Sequence, residues 1–488
     1  MSAVRRVAVV GRDAETWLTA LALERALSPA GVTTEVIELP SLLSANDCYS
    51  AAPSLSGLHD LLGIERHDAL RVARGLPVTG QRFTGWNDAP FTYGYDSKRA
   101  AINDVDILQY WIKARSDGLK LPLEQLSVAA LAAALGRVGP DGQLPTEFGT
   151  VHRGYHLDGQ SYAKALRTLA MQRGIAVRQA AEIFAERTGA QVDRLRTGDG
   201  QEVTADLFVD ASGAEALLAA NQPDDDWQSW AEFLPADRLA LSSAPALNPA
   251  PPFAEIRATG SGWVGLFPLP GRTAIMAAFS MADLGEHDVG DMLAGAARTN
   301  RLAMPEVRKL SPGARSPWIG NVVAVGGSAA EFPPLDLMQL HIAHVGITNL
   351  VALFPADNQT MPEAGTYNAV VGRYAANVRD VMAAHYRLNS RVGEAHWDRA
   401  RGAIGPANLD ARLALFAARG QVPLFDDDSF DEGLWSNLLV GHGLIPRGYD
   451  PKVDRTGRDE VSAAFQRLID LVEQKASAMP SVADYIGQ

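Results

Sequence analysis

The first forty residues combine short apolar runs with one stretch of helical spacing. Residues 7–10 form a continuous apolar run, which is typical of a strand buried in a parallel sheet. Gly11 ends that run, and residues 16–27 then place leucines at helical spacing. A second strand is predicted at 34–39, with the acid Glu38 near its end. Such a β–turn–α–β unit usually opens a dinucleotide-binding domain, because its turn directs helix N–H groups at a pyrophosphate.

Two more buried strands end in glycine turns much later in the chain. Residues 206–210 run into Gly213, and residues 321–325 run into Gly326. Ligands of a doubly wound sheet lie at the carboxyl ends of such strands. Together with the turn at Gly11, these turns predict one discontinuous nucleotide domain with a substrate region inserted between its parts.

The remaining segments differ in character. A helix is predicted at 162–173, followed by a strand at 175–178. Residues 242–253 are rich in Pro and Ala and are interpreted as a linker, and strands alternate through 263–280. From residue 338 onward the pattern is mostly helical.

The predicted fold class is therefore α/β, with a discontinuous, doubly wound domain, an inserted β-rich region and a helical C-terminal part. We place the nucleotide domain at residues 1–240 with 315–365, the β-rich substrate region at 241–314, and the mainly helical region at 366–488.

Composition narrows the class of protein. The 488 residues carry a formal net charge of −13 and are 47% hydrophobic and 21% charged, as in globular chains. The negative charge argues against nucleic acid or an anionic membrane as a partner. The single cysteine, Cys48, excludes an intramolecular disulfide, an iron–sulfur centre and a cysteine-based zinc site. No signal-peptide pattern or membrane-length apolar run is present, so we expect a cytoplasmic protein.

Six segments, spread over nearly the whole chain, follow a known pattern: residues 9–11 with Trp17, 155–158, 206–213, 318–326, 384–388 and 443–451. They resemble the flavin-dependent tryptophan halogenases, within the FAD-dependent monooxygenase superfamily. The resemblance implies a glutathione-reductase-like FAD-binding domain, FAD as cofactor and an aromatic substrate such as tryptophan. It also implies reduced flavin from a separate flavin reductase if the protein is active, and it allows a homodimer.

The halogenating lysine of that family is replaced. In the family, this lysine holds hypohalous acid beside the substrate, and it should lie eight residues before Trp86 in the segment 83–86. That position is Val78, which has no nitrogen to halogenate and no donor, so we expect it to be inactive. The next lysine along the chain, Lys98, is too far away to replace it without a rebuilt loop.

Other halogenation positions also depart from the family pattern. The catalytic glutamate corresponds to Asp336, which is one methylene shorter, and the halide-site Ser-Thr pair corresponds to the apolar Leu337 and Met338. The segment that separates flavin from substrate keeps Trp263, has glycine in place of its second tryptophan, and has Phe267 at the family's isoleucine position. Trp86, Trp263 and Phe267 either line a pocket for a flat substrate or fill the core.

The expected flavin site is eroded as well. Only Gly11 survives of the three glycines that let helix and pyrophosphate approach the strand. Asp13 and Glu15 put negative charge at the helix N-terminus, which repels a phosphate, and Arg12 offsets this only in part. Glu38 stands where a ribose-binding acid belongs.

The remaining candidate flavin residues follow the later strands: Gly213, Gly326, Ser328 and Ala329. Ser328 replaces the aspartate with which the family contacts the ribityl chain. The family's flavin-contacting loop corresponds to residues 46–51 and shares little with it. The sequence therefore predicts an FAD site of weakened affinity.

Two other chemistries have little support. His341 and His344 are spaced for one helix face and could join His385 on a metal, but no third ligand has a supporting motif, so no metal is predicted. Cys48 has acidic and aromatic neighbours that do not activate a thiol, so we interpret it as a packing residue.

Three functions stay open. The first is a halogenase-like protein that no longer halogenates. The second is an active FAD-dependent monooxygenase that hydroxylates without lysine or halide, and the third is a halogenase whose lysine comes from elsewhere in the chain. Loss of several independent elements favours the first, so whether the protein is an enzyme is left undecided.

Overall fold

The computed structural model describes residues 3–96, 100–139, 142–143 (backbone only), 150–222, 225–336, 338 and 340–487. The predicted position Leu337 and the lysine Lys98 lie outside the described residues. By internal contacts the chain forms two units, each built from three segments. The first unit comprises Met1–Gly75, Leu157–Ala231 and Leu310–Asn377, and the second comprises Leu76–His156, Glu232–Lys309 and Val378–Gln488.

The secondary structure alternates strands and helices in the first half and is mainly helical after residue 340. The α-helices are α1 (Asp13–Leu27), α2 (Leu55–Leu62), α3 (Arg66–Val72), α4 (Ile107–Ser116), α5 (Val128–Ala134), α6 (Gly159–Gln172), α7 (Val289–Ala297), α8 (His341–Ala352), α9 (Glu363–Arg387), α10 (Ala395–Gly402), α11 (Ala407–Arg419), α12 (Glu432–Gly441), α13 (Arg458–Ser477) and α14 (Val482–Ile486).

The strands are β1 (Arg6–Gly11), β2 (Thr33–Glu38), β3 (Cys48–Ala51), β4 (Leu76–Val78), β5 (Gly80–Thr84), β6 (Phe91–Gly94), β7 (Ala101–Ile102), β8 (Val105–Asp106), β9 (Gly142–Gln143), β10 (Thr150–Val151), β11 (Gly154–Asp158), β12 (Ala176–Gln179), β13 (Ile183–Thr188), β14 (Gln191–Thr197), β15 (Glu202–Val203), β16 (Leu207–Ala211), β17 (Gln228–Ser229), β18 (Arg238–Pro245), β19 (Phe253–Thr259), β20 (Gly262–Leu269), β21 (Arg272–Phe279), β22 (Glu306–Lys309), β23 (Gly313–Ala314), β24 (Trp318–Ile319), β25 (Val322–Ala324) and β26 (Ala330–Glu331).

A six-stranded sheet organises the first unit, in the order β12-β2-β1-β16-β25-β24. Its pairs are parallel except for the antiparallel edge strand β24. The apolar run at 7–10 lies in the central strand β1 and is fully buried, as expected for a parallel strand that is covered on both faces. The predicted strands at 34–39, 206–210 and 321–325 are confirmed within one or two residues.

Helices and a small antiparallel meander pack on this sheet. Helix α1 contacts the sheet and packs against α6 and α8. Ala8, Ile37 and Phe208 of the sheet share a core cluster with Val192 and Leu195 of the meander β13-β14-β15. A mixed α/β fold is thus confirmed, and the carboxyl ends of β1, β16 and β25 are brought to one edge of the sheet.

The second unit is built on a seven-stranded sheet in the order β22-β18-β21-β20-β19-β5-β6. Neighbours are antiparallel except for the parallel pair β19–β5. Helix α7 packs on this sheet through Val289 and Leu293, against Val264 and Ile275. The strands predicted through 263–280 are therefore confirmed.

The predicted linker at 242–253 is wrong in its first part. Residues 242–245 belong to β18 and pair with β21, where Ser242 lies opposite Ile275. Pro245 stands at the strand's last position, where a missing N–H is tolerated. Only residues 246–252 connect β18 to β19.

The domain boundaries predicted from the sequence differ from those of the two units in one large segment. Residues 76–156 group with the second unit, whereas the sequence analysis placed them in the nucleotide domain. The three-part division at 240, 315 and 365 stays a prediction. Among the described residues, none of the helices combines the length and the apolar character that a membrane span needs.

Replacement of Gly11 by alanine should strongly destabilise the first unit. A Cβ at Gly11 would lie 2.2 Å from the carbonyl oxygen of Ala211 and 2.5 Å from the Thr16 hydroxyl. Since both are in the packed sheet–helix contact, we expect a loss of about 3 kcal/mol in the free energy of unfolding, measured by urea denaturation. Gly57→Ala in α2 is the matched control, because no atom lies within 4 Å of its added Cβ. It should be neutral or stabilising by up to about 1 kcal/mol, and an equal loss in both variants would contradict this account.

Candidate functional site

The turns that follow β1, β16 and β25 enclose a cavity of about 280 Å³ in the first unit. Its walls combine the start of α1, the two later glycine turns, Tyr49 of β3 and the segment 330–333. The lining residues that matter below are Arg12, Asp13, Glu15, Tyr49, Gly213, Glu215, Gly326, Gly327 and Glu331. The predicted residues Gly11, Arg12, Gly213 and Gly326 therefore come together at one edge of the sheet.

The turn after β1 keeps the backbone shape of a glycine turn without the glycines. Asp13 has a φ of 60°, in the left-handed region that glycine adopts at least cost. Its carboxylate accepts hydrogen bonds from Ser41 Oγ (2.5 Å) and the Leu42 N–H (3.4 Å), which connects the start of α1 to the loop after β2. Thr16 donates its hydroxyl hydrogen bond to the Arg12 carbonyl at 2.8 Å.

Glu15 points from the first turn of α1 onto the turn that follows β25. The Gly327 N–H donates to both carboxylate oxygens, at 3.2 and 3.1 Å. The fit is tight, since a Cβ at Gly326 would lie 2.4 Å from the Glu15 Cδ atom. Desolvation in the pocket raises the pKa of Glu15 to about 7, against the lowering effect of the Gly327 N–H and with repulsion from Asp13 and Asp210.

A second carboxylate, Asp210 at the end of β16, is fully buried and well supplied with donors. It accepts from the Ser212 N–H and hydroxyl (3.0 and 2.6 Å) and from the N–H groups of Leu218 and Ala219 (2.7 and 2.8 Å). These contacts fold the segment after β16 around the carboxylate. Asp210 therefore serves the architecture of the turn.

Ser328 and Ala329 are turned into the protein. The Ser328 hydroxyl lies 3.1 Å from Asp210 Oδ1 and 3.0 Å from the Gly213 carbonyl, and its side chain is buried. Ala329 is in a small core cluster with Ala216. Neither Ser328 nor Ala329 is among the residues that line the cavity.

Glu38, at the end of β2, is already engaged. Arg167 donates to its two carboxylate oxygens from Nε (2.6 Å) and Nη2 (2.9 Å), and Gln179 Nε2 lies 3.4 Å away. The guanidinium of Arg167 also lies over the Trp17 ring at 5.8 Å. Glu38 lines a separate cavity of about 440 Å³ with residues 39–41 and 179–181, which is where the sugar of a nucleotide would be expected.

The charge around the first cavity is mainly negative. Among its lining residues in the described part of the chain, Asp13, Glu15, Glu215 and Glu331 carry carboxylates and Arg12 is the base. Arg12 is paired with Glu215, at 2.9 Å between Nη2 and Oε2. The positive charge of Arg12, which was expected to offset part of the negative charge at the helix start, is therefore paired with Glu215.

Val78 lies in the second unit and is fully buried. It is the last residue of β4, and its backbone partner is Gly154 of β11. The isopropyl group is thus a packing group at the position where the resemblance calls for a lysine.

The three predicted substrate residues are core side chains of the second unit. Trp86, Trp263 and Phe267 are at most 1% exposed. Trp86 Nε1 donates to a backbone carbonyl of β19 at 3.3 Å, and Trp263 Nε1 donates to the Tyr386 hydroxyl at 2.9 Å. Phe267 packs edge-on against His156, at 5.3 Å between ring centres. These contacts support the core interpretation over the pocket interpretation.

Asp336 lies in the first unit, is buried, and has a φ of 55°. A left-handed aspartate is uncommon and is held only where the surroundings impose it. Its neighbour Met338 forms a bridge with Ala51 and lines the first cavity.

The histidines considered for a metal have other partners. His341 Nδ1 lies 3.0 Å from Ser54 Oγ, and burial lowers the pKa of His341 to about 4. In the second unit, His385 Nδ1 lies 2.7 Å from His442 Nε2. Across the described ranges, no group of three or more His, Cys, Asp or Glu side chains is arranged to hold a metal ion.

Sequence reasoning missed several residues of the cavity and one contact. Tyr49, whose hydroxyl lies 3.5 Å from the Ala14 N–H, and Glu331 both line the cavity. Glu15 was noted for its charge, but its contact with Gly327 spans 312 residues and left no local pattern in the sequence. Tyr49 stands in the segment 46–51, so its place in the flavin-contacting loop was the available signal.

The chain matches the tryptophan halogenase family over residues 6–458. It belongs to the tryptophan halogenase family. It is 23% identical over 528 residues to the tryptophan 7-halogenase KtzQ of Kutzneria sp. (strain 744), with 99% of this chain and 98% of that protein covered. It is 21% identical over 538 residues to the tryptophan 7-halogenase RebH of Lentzea aerocolonigenes, with 99% and 98% covered.

A solved structure supports the same relationship. BrvH, a flavin-dependent halogenase from Brevundimonas sp. BAL3, is similar over 99% of both chains, with a TM-score of 0.93 and 26% sequence identity. The family resemblance predicted from the sequence is therefore confirmed, together with its fold.

The cavity residues fit a flavin dinucleotide poorly. A pyrophosphate at the start of α1 would meet the carboxylates of Asp13 and Glu15 in place of backbone that glycine leaves open. The Gly327 N–H already donates to Glu15, so it is occupied while that contact stands. As these side chains stand, they do not fit the pyrophosphate of FAD.

The pH dependence of the unfolding free energy should reflect the titration of Glu15. Burial raises its folded pKa to about 7, above the ordinary glutamate value of 4.5, so its contribution to stability is fully present below about pH 4.5 and is lost as the pH rises through 7. Relative to Glu15→Gln, the wild type should lose about 1–2 kcal/mol of unfolding free energy between about pH 5 and 8, measured by urea denaturation. The variant Glu24→Gln, at a half-buried position near the C-terminal end of the same helix, should follow the wild type. Parallel curves for wild type and Glu15→Gln would refute the assignment.

Proposed function

We propose that this member of the tryptophan halogenase family does not halogenate and binds FAD weakly. The observation that carries the first part is Val78, a fully buried aliphatic side chain in β4 at the position where the family places its halogenating lysine. An isopropyl group can neither hydrogen-bond hypohalous acid nor form a haloamine. Asp336 and Met338 stand at two further positions where the family pattern has a glutamate and a hydroxyl side chain.

Weak FAD binding is supported by the carboxylates at the start of α1. Glu15 already occupies the Gly327 N–H, and Asp13 adds a second negative charge beside it. Bringing a pyrophosphate to this turn therefore costs electrostatic repulsion and displaces an existing hydrogen bond. A scaffold without turnover would act by binding, and the ligand class that we propose is an aromatic small molecule such as tryptophan.

A second candidate function is an active FAD-dependent monooxygenase that hydroxylates an aromatic substrate with reduced flavin and oxygen. Gly11 and Glu38 support it, because they stand opposite each other at the ends of β1 and β2, where the family pattern has a turn glycine and an acid. The chemistry would come from the flavin, with the protein supplying position and exclusion of water. This function would need a flavin reductase as partner. A homodimer stays a prediction in either case.

Titration of the purified wild type with FAD tests the cofactor part of the proposal. We expect no saturation below about 10 µM FAD, oxidised or reduced, because the turn repels the pyrophosphate. Flavin fluorescence and equilibrium dialysis measure the affinity, and an active flavin-dependent halogenase of the family serves as the positive control. A yellow protein as isolated, or submicromolar binding with rapid reaction of the reduced flavin with oxygen, would favour the monooxygenase.

Halogenation is tested with a flavin reductase, FAD, bromide and tryptophan or indole, with products analysed by mass spectrometry. We expect no brominated product from the wild type. Val78→Lys should stay inactive, because Asp336 and Met338 are unchanged; Val78→Met shows how much of any effect comes from packing alone, and circular dichroism checks folding. A brominated product from the wild type would contradict the proposal, since no lysine stands at the family position.

A further inference from the structure

The start of α1 and the turn after β25 are joined by one side chain. Glu15 spans the cavity edge and places its carboxylate on the Gly327 N–H, at 3.1–3.2 Å. Among the described residues, only this N–H donates to the Glu15 carboxylate. The contact leaves no room for any side chain at Gly326, whose Cβ would overlap the Glu15 carboxyl carbon at 2.4 Å.

An anion bound at the end of a parallel sheet uses this kind of donor. Backbone N–H groups at glycine turns and helix starts hold phosphates because no side chain blocks them. Here an internal carboxylate takes that place. Glu15 has the charge and the hydrogen-bonding geometry of the ligand that such a turn would otherwise accept.

We propose that Glu15 determines the ligand specificity of this cavity by acting as an internal anion that excludes a pyrophosphate. The inference rests on the proposed weak binding of FAD and names the residue that causes it. Shortening residue 15 frees the Gly327 N–H and the space beside it, whereas neutralising it removes only the repulsion of a phosphate; in both cases the cavity accepts FAD more tightly. Ligands without phosphate are not subject to this exclusion.

Asp13 is less suited to this role, although it is also acidic and lines the cavity. Its carboxylate is held by Ser41 Oγ and the Leu42 N–H, on the side of β2. Glu15 instead contacts the opposite wall, at the turn after β25, so it bridges the space that a phosphate would enter.

The other charged groups around Glu15 make the exclusion depend on pH. Repulsion from Asp13 and Asp210 adds to desolvation in holding the pKa of Glu15 near 7, so the excluding charge is present above neutral pH and diminishes below it. The further titratable groups that face the cavity are Arg12, paired with Glu215, together with Tyr49 and Glu331.

The test compares FAD binding by the full-length wild type with binding by Glu15→Ala and Glu15→Gln. Glu24→Ala is the control, because it removes one negative charge from the same helix, near its C-terminal end. We expect Glu15→Ala to bind FAD at least about tenfold more tightly than the wild type, and Glu15→Gln to change in the same direction by a smaller factor. Glu24→Ala should stay within about twofold of the wild type.

Riboflavin, which has the same ring system and no phosphate, separates exclusion from a general change in the cavity. Its affinity should change by less than about twofold in Glu15→Ala. Wild-type affinity for FAD should also rise as the pH is lowered from about 8 to 6, and this rise should vanish in Glu15→Gln. Thermal unfolding checks that the variants are folded, and the near-isosteric Gln variant decides the matter if the Ala variant unfolds.

The outcomes separate the two proposals. If the wild type binds FAD weakly and neither Glu15 variant binds it more tightly, the role of Glu15 is wrong while the proposed function stands. If the wild type binds FAD tightly, the proposed function is wrong. In that case, unchanged or weaker binding by Glu15→Ala overturns the role of Glu15 as well, and equal gains for FAD and riboflavin overturn exclusion of the pyrophosphate.

Discussion

The first unit depends on how closely the end of β1 approaches β16 at Gly11. At that point, the backbone of Ala211 comes so near that a single additional carbon would overlap its carbonyl. This approach brings the start of α1 to the edge of the sheet, next to the turns that follow β16 and β25. Every contact of the cavity, including the reach of Glu15 to Gly327, depends on that spacing. The rest of the glycine pattern is dispensable for the fold, since Asp13 and Thr16 occupy its other positions within an intact helix.

Two carboxylates at this edge, Asp210 and Glu15, have different hydrogen-bonding surroundings. Asp210 is buried among hydroxyl and N–H donors that compensate for its desolvation. Glu15 stands beside two other acids with the Gly327 N–H as its donor, so the charged form is poorly compensated. Asp210 organises a turn, whereas Glu15 keeps a high pKa because few groups stabilise its charged form. The Gly327 N–H, a donor of the kind that binds anions at such an edge, is thus occupied by a carboxylate of the protein itself.

The sequence was sufficient for the parallel strands and α1, because continuous apolar runs and helical spacing report burial directly. It was insufficient at 242–245, where Ser and Ala beside Pro suggested a linker and cross-strand pairing with β21 decided otherwise. The family pattern located Gly11, Gly213 and Gly326 at one edge, but it gave no sign that Ser328 turns toward Asp210. The contact of Glu15 also escaped, since it joins positions 312 residues apart and depends on the turn at Gly326. Local pattern predicts elements; the direction of a polar side chain depends on neighbours that only the folded chain supplies.

The left-handed backbone at Asp13 has a consequence for how this scaffold can change. The main chain there already follows the path of a glycine, and aspartate tolerates it only with help from Ser41 and Leu42. At this turn, the difference from an open phosphate-binding turn therefore lies in the side chains and not in the backbone. Substitutions at positions 13 and 15 can therefore change which ligands this edge accepts, with no remodelling of the chain trace.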